Sequence, residues 1–539
     1  MADPETAFRY LATQDLPTLV TDRNPLWQAF YGSRPAAKIA DKESEYFLTA
    51  ADKFGVPLGE GSPSAWQTAA FNAHYDNIGG VGFDRVWEKT QRPRFEAAVE
   101  GGAAALASRV GRIAAGVAAP VVIFNPTSWA RSEVVELQGE LPDLRALPAP
   151  VQQIGPNHVA FKVDQVPAVG WVGLNGGTAT VAHPTSVVRV GQRVTLSNLL
   201  AELTIDGARG GTISSLTASS GPELLAGAGD DVAYVADTGD VYGAFFGEER
   251  ARQSGVAAQV KVLAEGPLLA RVEVSLTLGG VPVVKTITLK ADSPLVEVTV
   301  RLAALPDTTT LVQVPTTRVT TSRTDDLGFA AFTHQLDNRP IVPGTITYRR
   351  VVFYPTIAWS DVSADGAGLA LITHGLQGLA GTDTLSLILV RQTTDGGDPE
   401  AEGVTDSEPH LLRYAYLPHV GPPAPWIAAT AFNQPLIATW RTGEQLQVQL
   451  PFADPSVPRQ VKIDGAAPTF PNSFSLIAAE SGLVADLTCR GGELMALVID
   501  YDPALPMIIT DGTTRVQLPQ AAVAARTVHF ASGRCRAGP

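Results

Sequence analysis

The sequence predicts a mostly β protein with an α-helical amino-terminal part, in which a three-helix bundle is followed by several β-sandwich domains. Three observations predict this fold class. Apolar residues in the first 118 positions recur with helical spacing. Beyond residues 118–120 they alternate with polar residues, as in half-buried strands. The 50 Gly and 40 Pro are spread along the chain, as turns between many short strands require.

The composition bounds the organisation of the chain and its partners. A chain of 539 residues is too long for one hydrophobic core, so we expect two to four domains. The net charge of −14 argues against nucleic-acid and anionic-membrane partners, which need clustered Lys and Arg. We expect no signal peptide, because residues 1–17 lack a basic region followed by an apolar run, and no membrane span, because no apolar run of about 18 residues occurs. With Cys489 and Cys535 as the only cysteines, we expect a soluble protein of the reducing cytoplasm.

The first 118 residues predict three helices. The first lies within 36–55, where apolar residues follow a helical period and a glycine ends the run. The second begins with Ser62 as N-cap and Pro63 at the first helical position. The third runs from about Gly82 to Ala115 and is bent or broken at Pro93, because proline removes a helical hydrogen bond.

The rest of the chain predicts antiparallel strands. In 270–278 and again in 295–302, apolar and polar residues alternate strictly, and such runs recur to the end without a long helix. Some 420 residues of this kind are too many for a single sandwich. The acidic segment 393–409 contains few apolar residues and is predicted to form a mobile surface loop.

Residue types alone leave the candidate sites open. His74 and Asp76 at the end of the second helix could share a metal ion, or they could simply finish the helix. Trp27 and Tyr31 could stack on a ligand, or they could anchor their loop to the helical bundle.

The remaining candidates are equally ambiguous. Asp240 and Tyr242 could mark the rim of a polar pocket or form a turn before a strand. His374 and His419 lie in predicted turns, where a structural hydrogen bond is the commoner role. Neither a GxSxG elbow, a P-loop nor an HExxH spacing occurs, so motifs alone leave the function undetermined.

Several stretches in the same order resemble glycoside hydrolase family 38, the retaining α-mannosidases. The first is "VVIFNPTSWARSEVVEL" (121–137), and the second is "LSNLLAELTIDGARGGTISSL" (196–216). "GDVYGAFF", "EGPLLARVEV", "YPTIAWSDVSADGAGLALITHGLQG", "LSLILVR" and "LLRYAYLPHVG" follow in the order of that family. The resemblance covers about 400 residues and implies a large, mutarotase-like super-sandwich.

The resemblance also assigns candidate site residues. The family segment "W.GYYTSRP..K" matches Trp27, Tyr31, Ser33, Arg34, Pro35 and Lys38. It implies that Trp27 lies against a bound mannose ring, that Asp76 contacts the sugar and that Tyr242 reaches into the same site. The family holds zinc through a His directly before the matching Asp. That position is Tyr75 here, and His74, one residue earlier, is the candidate metal ligand.

The catalytic groups of the family lie on a larger amino-terminal barrel, which carries the zinc-binding HxD pair, the nucleophilic Asp and the acid. Residues 1–23 are too few for a barrel of about 200 residues, so we assign no catalytic residue and predict that this chain alone is inactive. The predicted function is the carboxy-terminal part of an α-mannosidase-like retaining hydrolase acting on α-mannosides, with a separate barrel for catalysis.

Two alternatives stay open. One is a non-catalytic carbohydrate-binding or scaffold protein, which the departures at Tyr75, Ala29 and Gly32 favour. The other is a mutarotase-like activity of the large sandwich, with His374 and either Asp361 or Asp365 as acid and base.

The predicted limits and partners follow from these assignments. The domain limits are a barrel-type tail at 1–35, the helical domain at 36–118, a small β domain at 119–190, the super-sandwich at 191–440 and a terminal sandwich at 441–539. The expected partners are an α-mannoside-like carbohydrate and a separate barrel chain, with a homo-oligomer as an open alternative and neither nucleic acid nor membrane. Zinc is the cofactor that the resemblance implies.

Overall fold

The computed structural model describes most of the chain. The described residues are 27–318, 320, 322–328, 330–335, 354–381, 384–393, 403–443, 445–462, 468–490, 493–501, 506–518 and 525–530. The expectations for residues 1–26, and for the 394–402 part of the acidic segment, lie outside them.

The described chain begins with the predicted helical part. The helices are α1 (Pro35–Gly55), α2 (Pro63–Asn72), α3 (Tyr75–Ile78), α4 (Asp84–Val86) and α5 (Arg92–Gly116), and a 3₁₀ turn (Gln28–Tyr31) precedes them. The start of α2 is confirmed, although the Ser62 side chain makes no capping hydrogen bond. The predicted irregularity near Pro93 is a π-helical turn, Trp87–Gln91, which leads directly into α5.

Helices α1 and α5 pack closely at a small residue. A Cβ on Gly102 would lie 2.9 Å from the Phe47 Cβ, so only glycine permits this approach. The apolar faces of the two helices share one core with the adjoining sheet, where Phe54 meets Phe124 edge to face at 5.3 Å. The helical part is therefore joined to the β structure through apolar packing.

Behind the helices lies a sheet built from two distant parts of the chain. The early strands are β1 (Val121–Asn125), β2 (Arg131–Gln138), β3 (Val151–Gly155), β4 (His158–Val166) and β5 (Gly170–Leu174). The late strands are β25 (Ile437–Thr442), β26 (Gln445–Gln449), β27 (Arg459–Val461) and β28 (Ser473–Ser475). They form a six-stranded sheet in the order β27-β26-β25-β1-β5-β28 and a three-stranded sheet β2-β4-β3. Strand β1 pairs antiparallel with β25, with Val121 opposite Trp440, so the predicted limit between residues 440 and 441 falls inside a strand.

The large sandwich occupies the chain between these two sets. Its strands are β6 (Ser186–Val190), β7 (Arg193–Ser197), β8 (Ala201–Asp206), β9 (Thr212–Ala218), β10 (Asp231–Asp237), β11 (Phe246–Arg252), β12 (Gln259–Glu265), β13 (Leu269–Leu278), β14 (Val281–Lys290), β15 (Val296–Ala303), β16 (Thr308–Pro315), β17 (Ser322–Asp326), β18 (Ala331–Gln335), β19 (Tyr354–Pro355), β20 (Trp359–Ala364), β21 (Ala367–Thr373), β22 (Gly378–Ala380), β23 (Thr384–Arg391) and β24 (Pro409–Val420). They form a nine-stranded sheet β12-β13-β14-β15-β24-β21-β20-β17-β18, a six-stranded sheet β11-β10-β16-β23-β22-β19 and a four-stranded sheet β6-β7-β8-β9.

One apolar core fills the space between these sheets. The predicted alternation is confirmed in β13, where Val272, Val274 and Leu278 are at most 1% exposed. These side chains meet residues of the four-stranded and six-stranded sheets in a single cluster. A short helix, α6 (Pro425–Asn433), covers the outer face of the nine-stranded sheet. The sequence did not predict α6, because its run "PWIAATAFN" is apolar on nearly every side.

The last strands form two small sheets. They are β29 (Ala478–Ala479), β30 (Leu483–Arg490), β31 (Glu493–Ile499), β32 (Ile508–Thr510), β33 (Arg515–Gln517) and β34 (Ala525–Phe530), in the orders β29-β32-β33 and β30-β31-β34. Cys489 of β30 is disulfide-bonded, and the other cysteine of the chain, Cys535, lies outside the described residues. Among the described residues, no helix is both long and apolar enough to cross a membrane.

Candidate functional site

The segment 27–34, here called the aromatic loop, is fixed by buried charged side chains. The Arg34 guanidinium donates to the Gly82 carbonyl at 2.8 Å and to Asp84 Oδ1 at 2.6 Å, and it lies 5.3 Å from the Trp87 ring centroid. Lys38 Nζ donates to the backbone carbonyl at the end of the loop at 2.6 Å. Both basic side chains are almost fully buried, so the Arg and Lys of the "SRP..K" pattern hold the loop rather than face solvent.

The electrostatics of this anchor follow from its burial. Desolvation lowers the pKa of Lys38 to about 7, although Asp406 nearby acts in the opposite direction. Burial likewise raises the pKa of the Asp406 carboxyl. Asp84, which holds Arg34, also accepts hydrogen bonds from Thr405. The aromatic loop, the helices and segment 403–408 of the sandwich are thus tied together by one network of charged groups.

Two glycines bring the turn after α3 against the aromatic loop. A Cβ on Gly80, which has a positive φ of 71°, would lie 2.6 Å from the Ser33 carbonyl oxygen. A Cβ on Gly79 would lie 3.3 Å from Phe30 Cδ2. Because any side chain at these positions would push the two segments apart, the "IGG" sequence places the end of α3, the helix that carries Asp76, next to the ring of Phe30.

A second loop, residues 237–246 and here called the tyrosine loop, carries Tyr242. Asp237 Oδ1 accepts from the Gly239 and Phe245 backbone N–H groups, both at 2.9 Å. Asp240 Oδ1 accepts from the backbone N–H groups of Tyr242 at 2.9 Å and of the following residue at 2.8 Å. Asp240 therefore supports the loop from within, and Tyr242 is left 43% exposed at its tip.

The two loops bring three aromatic rings together. The Trp27 and Tyr242 centroids are 5.6 Å apart, and Phe30 lies 5.8 Å from each of them. These separations are those of interacting aromatic pairs. Trp27 adopts the left-handed conformation, with φ 56°, and is 50% exposed. The structure therefore unites two of the predicted sugar-binding residues, Trp27 and Tyr242, on one accessible surface, here called the aromatic site.

His74 and Asp76 lie in the short turn that follows α2. His74 is the N-cap residue of α3, where its Nδ1 accepts the Asp76 backbone N–H at 3.3 Å and lies 3.7 Å from Asp76 Oδ2. Both side chains are more than half exposed. Within the described residues, no group of three His, Cys, Asp or Glu side chains could hold a metal ion. Zinc needs three or four ligands, so the described donors do not suffice for the zinc site that the resemblance implies.

The other candidate residues have structural surroundings. His374 is buried, with its Nδ1 at 2.8 Å from Asn433 Oδ1 and its ring stacked on Phe452 at 4.3 Å. Asp361 pairs instead with His419, whose Nε2 lies 2.8 Å from Asp361 Oδ1.

The acid–base pairs considered for the mutarotase alternative are therefore not formed. Asp365 is 92% exposed and lies near Arg318. His374 pairs with an amide rather than with Asp361 or Asp365, so the reading that joined His374 to either carboxylate is wrong. Tyr31 lies beside Phe30 in the 3₁₀ turn and is partly buried.

Three residues that complete or support the aromatic site were not predicted from the sequence. Phe30 supplies the third ring, while Arg391 and Asp237 form a fully buried ion pair beneath the tyrosine loop. The sequence could have predicted a buried ion pair at Arg391, because this residue ends the apolar strand "LSLILV" and a buried charge needs a partner. Nothing local in the sequence identifies Asp237 as that partner.

Comparisons with known proteins agree with this architecture. Residues 196–400 match the family model described as glycosyl hydrolases family 38 C-terminal domain. No curated relative matches the sequence. An α-mannosidase from Enterococcus faecalis is 13% identical, with a TM-score of 0.75, over 98% of this chain and 72% of that chain.

A second structure gives the same result. A glycosyl hydrolase family 38 protein from Enterococcus faecalis is 13% identical, with a TM-score of 0.76, over 98% of this chain and 74% of that chain. At such identities the likeness shows the fold. The mostly β fold with a helical amino-terminal part is therefore that of these two proteins, and the predicted resemblance to glycoside hydrolase family 38 is confirmed.

Proposed function

We propose that this chain, whose residues 196–400 match the C-terminal domain of glycoside hydrolase family 38, is the carboxy-terminal part of a retaining α-mannosidase-like hydrolase acting on α-mannosides. Trp27, Tyr242 and Asp76 bind the sugar, and catalysis needs a barrel that is supplied separately. The observation that carries the proposal is the aromatic site, where half-exposed Trp27 and Tyr242 rings from distant segments are held 5.6 Å apart.

The chemistry of this surface suits a carbohydrate. A pyranose ring offers C–H faces to aromatic rings and hydroxyl groups to polar side chains, and Trp and Tyr combine an apolar ring with a polar atom. The Tyr242 hydroxyl can donate and accept, and the Asp76 carboxylate can accept from sugar hydroxyls. In the proposed complex these side chains bind and orient the sugar.

Bond cleavage requires groups that the described part of the aromatic site does not provide. A retaining glycosidase needs two carboxyl groups about 5 Å apart, one on each side of the scissile bond. Of the carboxylates described above, Asp237 and Asp240 are engaged within the tyrosine loop, and Asp76 on α3 is left as one exposed group. We therefore infer that the nucleophile and the acid come from a barrel domain that meets this surface.

Zinc is a prediction that depends on the same barrel. The turn at the start of α3 offers two exposed donors, His74 and Asp76, and the His74 Nδ1 lone pair already accepts a backbone N–H. A complete site would need ligands from elsewhere. When bound, zinc would act as a Lewis acid on sugar hydroxyls.

The first test of the proposal is binding of methyl α-mannoside to the full chain by calorimetry. Trp27→Ala and Tyr242→Ala should each weaken binding. Phe71→Ala should leave it unchanged, because Phe71 of α2 is similarly exposed but packs against Arg94 of α5. Hydrolysis of an aryl α-mannoside should be absent with this chain alone and should appear when a family barrel is added. Turnover by the chain alone would refute the need for a barrel.

The alternative function is a non-catalytic carbohydrate-binding or scaffold protein. One observation favours it: His74 Nδ1 is used to cap α3, so the only histidine in the turn has a structural role. Sugar binding that depends on Trp27, without hydrolysis on addition of any family barrel, would support this alternative over the first.

The cytoplasmic location and a homo-oligomer also remain predictions. The disulfide at Cys489 weighs against a reducing compartment, since structural disulfides persist mainly in oxidising ones. Thiol titration of protein isolated from its natural source, with and without reductant, decides between the two compartments.

A further inference from the structure

Arg391, at the end of β23, contacts both the aromatic loop and the tyrosine loop. We propose that the buried Arg391–Asp237 ion pair is a positioning device: it sets the distance between the rings of Trp27 and Tyr242 and thereby the affinity of the aromatic site. The ligand part of this inference rests on the proposed function, whereas the geometric part does not.

The side chain of Arg391 fixes the tyrosine loop. Its Nε donates to Asp237 Oδ2 at 2.8 Å, and its Nη2 donates to the Gly243 carbonyl at 3.2 Å. The other carboxylate oxygen of Asp237 holds the backbone N–H groups of Gly239 and Phe245. The guanidinium and the carboxylate thus bind both ends of the loop that presents Tyr242.

The backbone of Arg391 fixes the aromatic loop. Ser33 forms a parallel β-bridge with Arg391. The preceding residue, Gly32, lies so close to β23 that a Cβ there would be 2.8 Å from Ile388 Cγ2 and 3.4 Å from Arg391 Cβ. One residue therefore contacts the segment that carries Trp27 through its main chain and the segment that carries Tyr242 through its guanidinium.

The burial of this pair argues for a positional role. Both side chains are 0% exposed, and Arg391 Nη1 has no hydrogen-bond partner among the described residues. A buried donor without a partner costs stability, and apolar residues of similar volume commonly replace buried ion pairs without loss of stability. An apolar pair would not reproduce the hydrogen bonds to both ends of the tyrosine loop, so these bonds are the distinctive contribution of Arg391 and Asp237.

The same sandwich contains a matched control. Arg323 and Asp325 of β17 form another ion pair in which both side chains are 0% exposed. The Arg323 guanidinium contacts the carbonyls of Leu379 and Gly381, which belong to neither loop. Arg323→Lys therefore reproduces the general cost of altering a buried Arg–Asp pair without removing a hydrogen bond to either loop.

The test uses the full chain labelled with 5-fluorotryptophan, in which the Trp27 fluorine resonance is assigned by its loss in Trp27→Phe. We expect Arg391→Lys to move or broaden this resonance towards its position in Tyr242→Ala, and Arg323→Lys to leave it in place. Methyl α-mannoside should bind on the order of tenfold more weakly to Arg391→Lys, because a tenfold change corresponds to about 1.4 kcal/mol, a typical hydrogen-bond contribution. An unchanged Trp27 resonance in Arg391→Lys, or an equal change in Arg323→Lys, would overturn the proposal.

A milder variant keeps the test decisive if Arg391→Lys does not fold. Thr309 Oγ1 donates to Asp237 Oδ2 at 2.7 Å, and Thr309→Val removes this bond at almost constant volume. It should move the Trp27 resonance in the same direction by a smaller amount, and no movement would count against the proposal. If the wild-type chain binds no mannoside but the resonance moves as expected, the proposed function fails and the positioning role stands.

Discussion

The two halves of the candidate site are built in different ways. The half that carries Trp27 and Tyr242 rests on buried ion pairs, Arg34–Asp84 and Arg391–Asp237. The half that carries His74 and Asp76 is the N-cap and first turn of a four-residue helix, and both of these side chains are more than half exposed. The rings of Trp27 and Tyr242 are therefore pre-organised, whereas the side chains of His74 and Asp76 must be ordered by a ligand or a partner domain. We therefore expect substitutions in the first half to affect stability and binding together, and substitutions in the second to affect binding alone.

The largest expected effect comes from Asp84. Asp84→Ala leaves the 2% exposed Arg34 side chain without its carboxylate and also removes the acceptor for Thr405. Breaking such a pair should lower the free energy of unfolding by about 3 kcal/mol, the low end for buried pairs, because the Asp84 side chain is 28% exposed. Denaturant titration followed by circular dichroism measures this. A change below about 0.5 kcal/mol would show that the aromatic loop is not held by this pair.

A second large effect concerns pH and Lys38. Its folded-state pKa is lowered from 10.5 to about 7, chiefly by desolvation. Between these two values the unfolded chain binds the proton and the folded chain does not. The Lys38 contribution to stability therefore increases as pH rises from 7 to 10.5, with a slope of up to about 1.4 kcal/mol per pH unit.

Lys38→Met should remove this contribution. Stability curves of the variant and the wild type, measured by denaturant titration at several pH values, should differ in slope above pH 7. Lys42 on the same helix, whose pKa is raised, provides the control, because Lys42→Met should not change the slope near neutral pH. Parallel curves for wild type and Lys38→Met would contradict the assigned role of burial.

A smaller effect is expected at the ring of Trp27. Trp27→Ala removes a half-exposed ring that packs against Phe30 and Tyr242, so its stability cost should be about 1 kcal/mol. The affinity for methyl α-mannoside should fall about tenfold, measured by calorimetry. Equal affinity in both proteins would remove Trp27 from the sugar site.

The smallest expected effect is at His74. Because its ring is more than half exposed and accepts one backbone N–H, His74→Gln should change the free energy of unfolding by less than about 0.5 kcal/mol. A larger loss, measured by the same denaturant titration, would mean that the second half of the site is as firmly built as the first.

Much of the fold was predictable because its signals are local. Helical spacing identified α1 and α5, a Ser-Pro start identified α2, and strict alternation identified β13 and β15. Helix α6 was not predicted, because its nine residues are mostly apolar and show no alternation between an apolar and a polar face. The pairing of β1 with β25 was not predicted, because the sequences of two short apolar strands do not identify a partner so far along the chain.

The site was predictable in part, because short sequence stretches resemble segments of a known family. Trp27, Asp76 and Tyr242 were identified through a resemblance, and the structure brings Trp27 and Tyr242 into contact. The loops of Trp27 and Tyr242 both contact Arg391, whose partner Asp237 lies more than a hundred positions away in the sequence. Such long-range ion pairs depend on the assembled sheets and have no signature in local sequence.

The pairing of β1 with β25 has a consequence for how the chain is made. Thr439 donates to the Val122 carbonyl across 317 positions, and the whole large sandwich is synthesised between these two residues. During translation at roughly 5–20 residues per second, β1 must wait many seconds with an open hydrogen-bonding edge before its neighbour leaves the ribosome. Until then that edge is available for wrong pairing, so early folding of the intervening sandwich and its packing against the helices would protect the nascent chain.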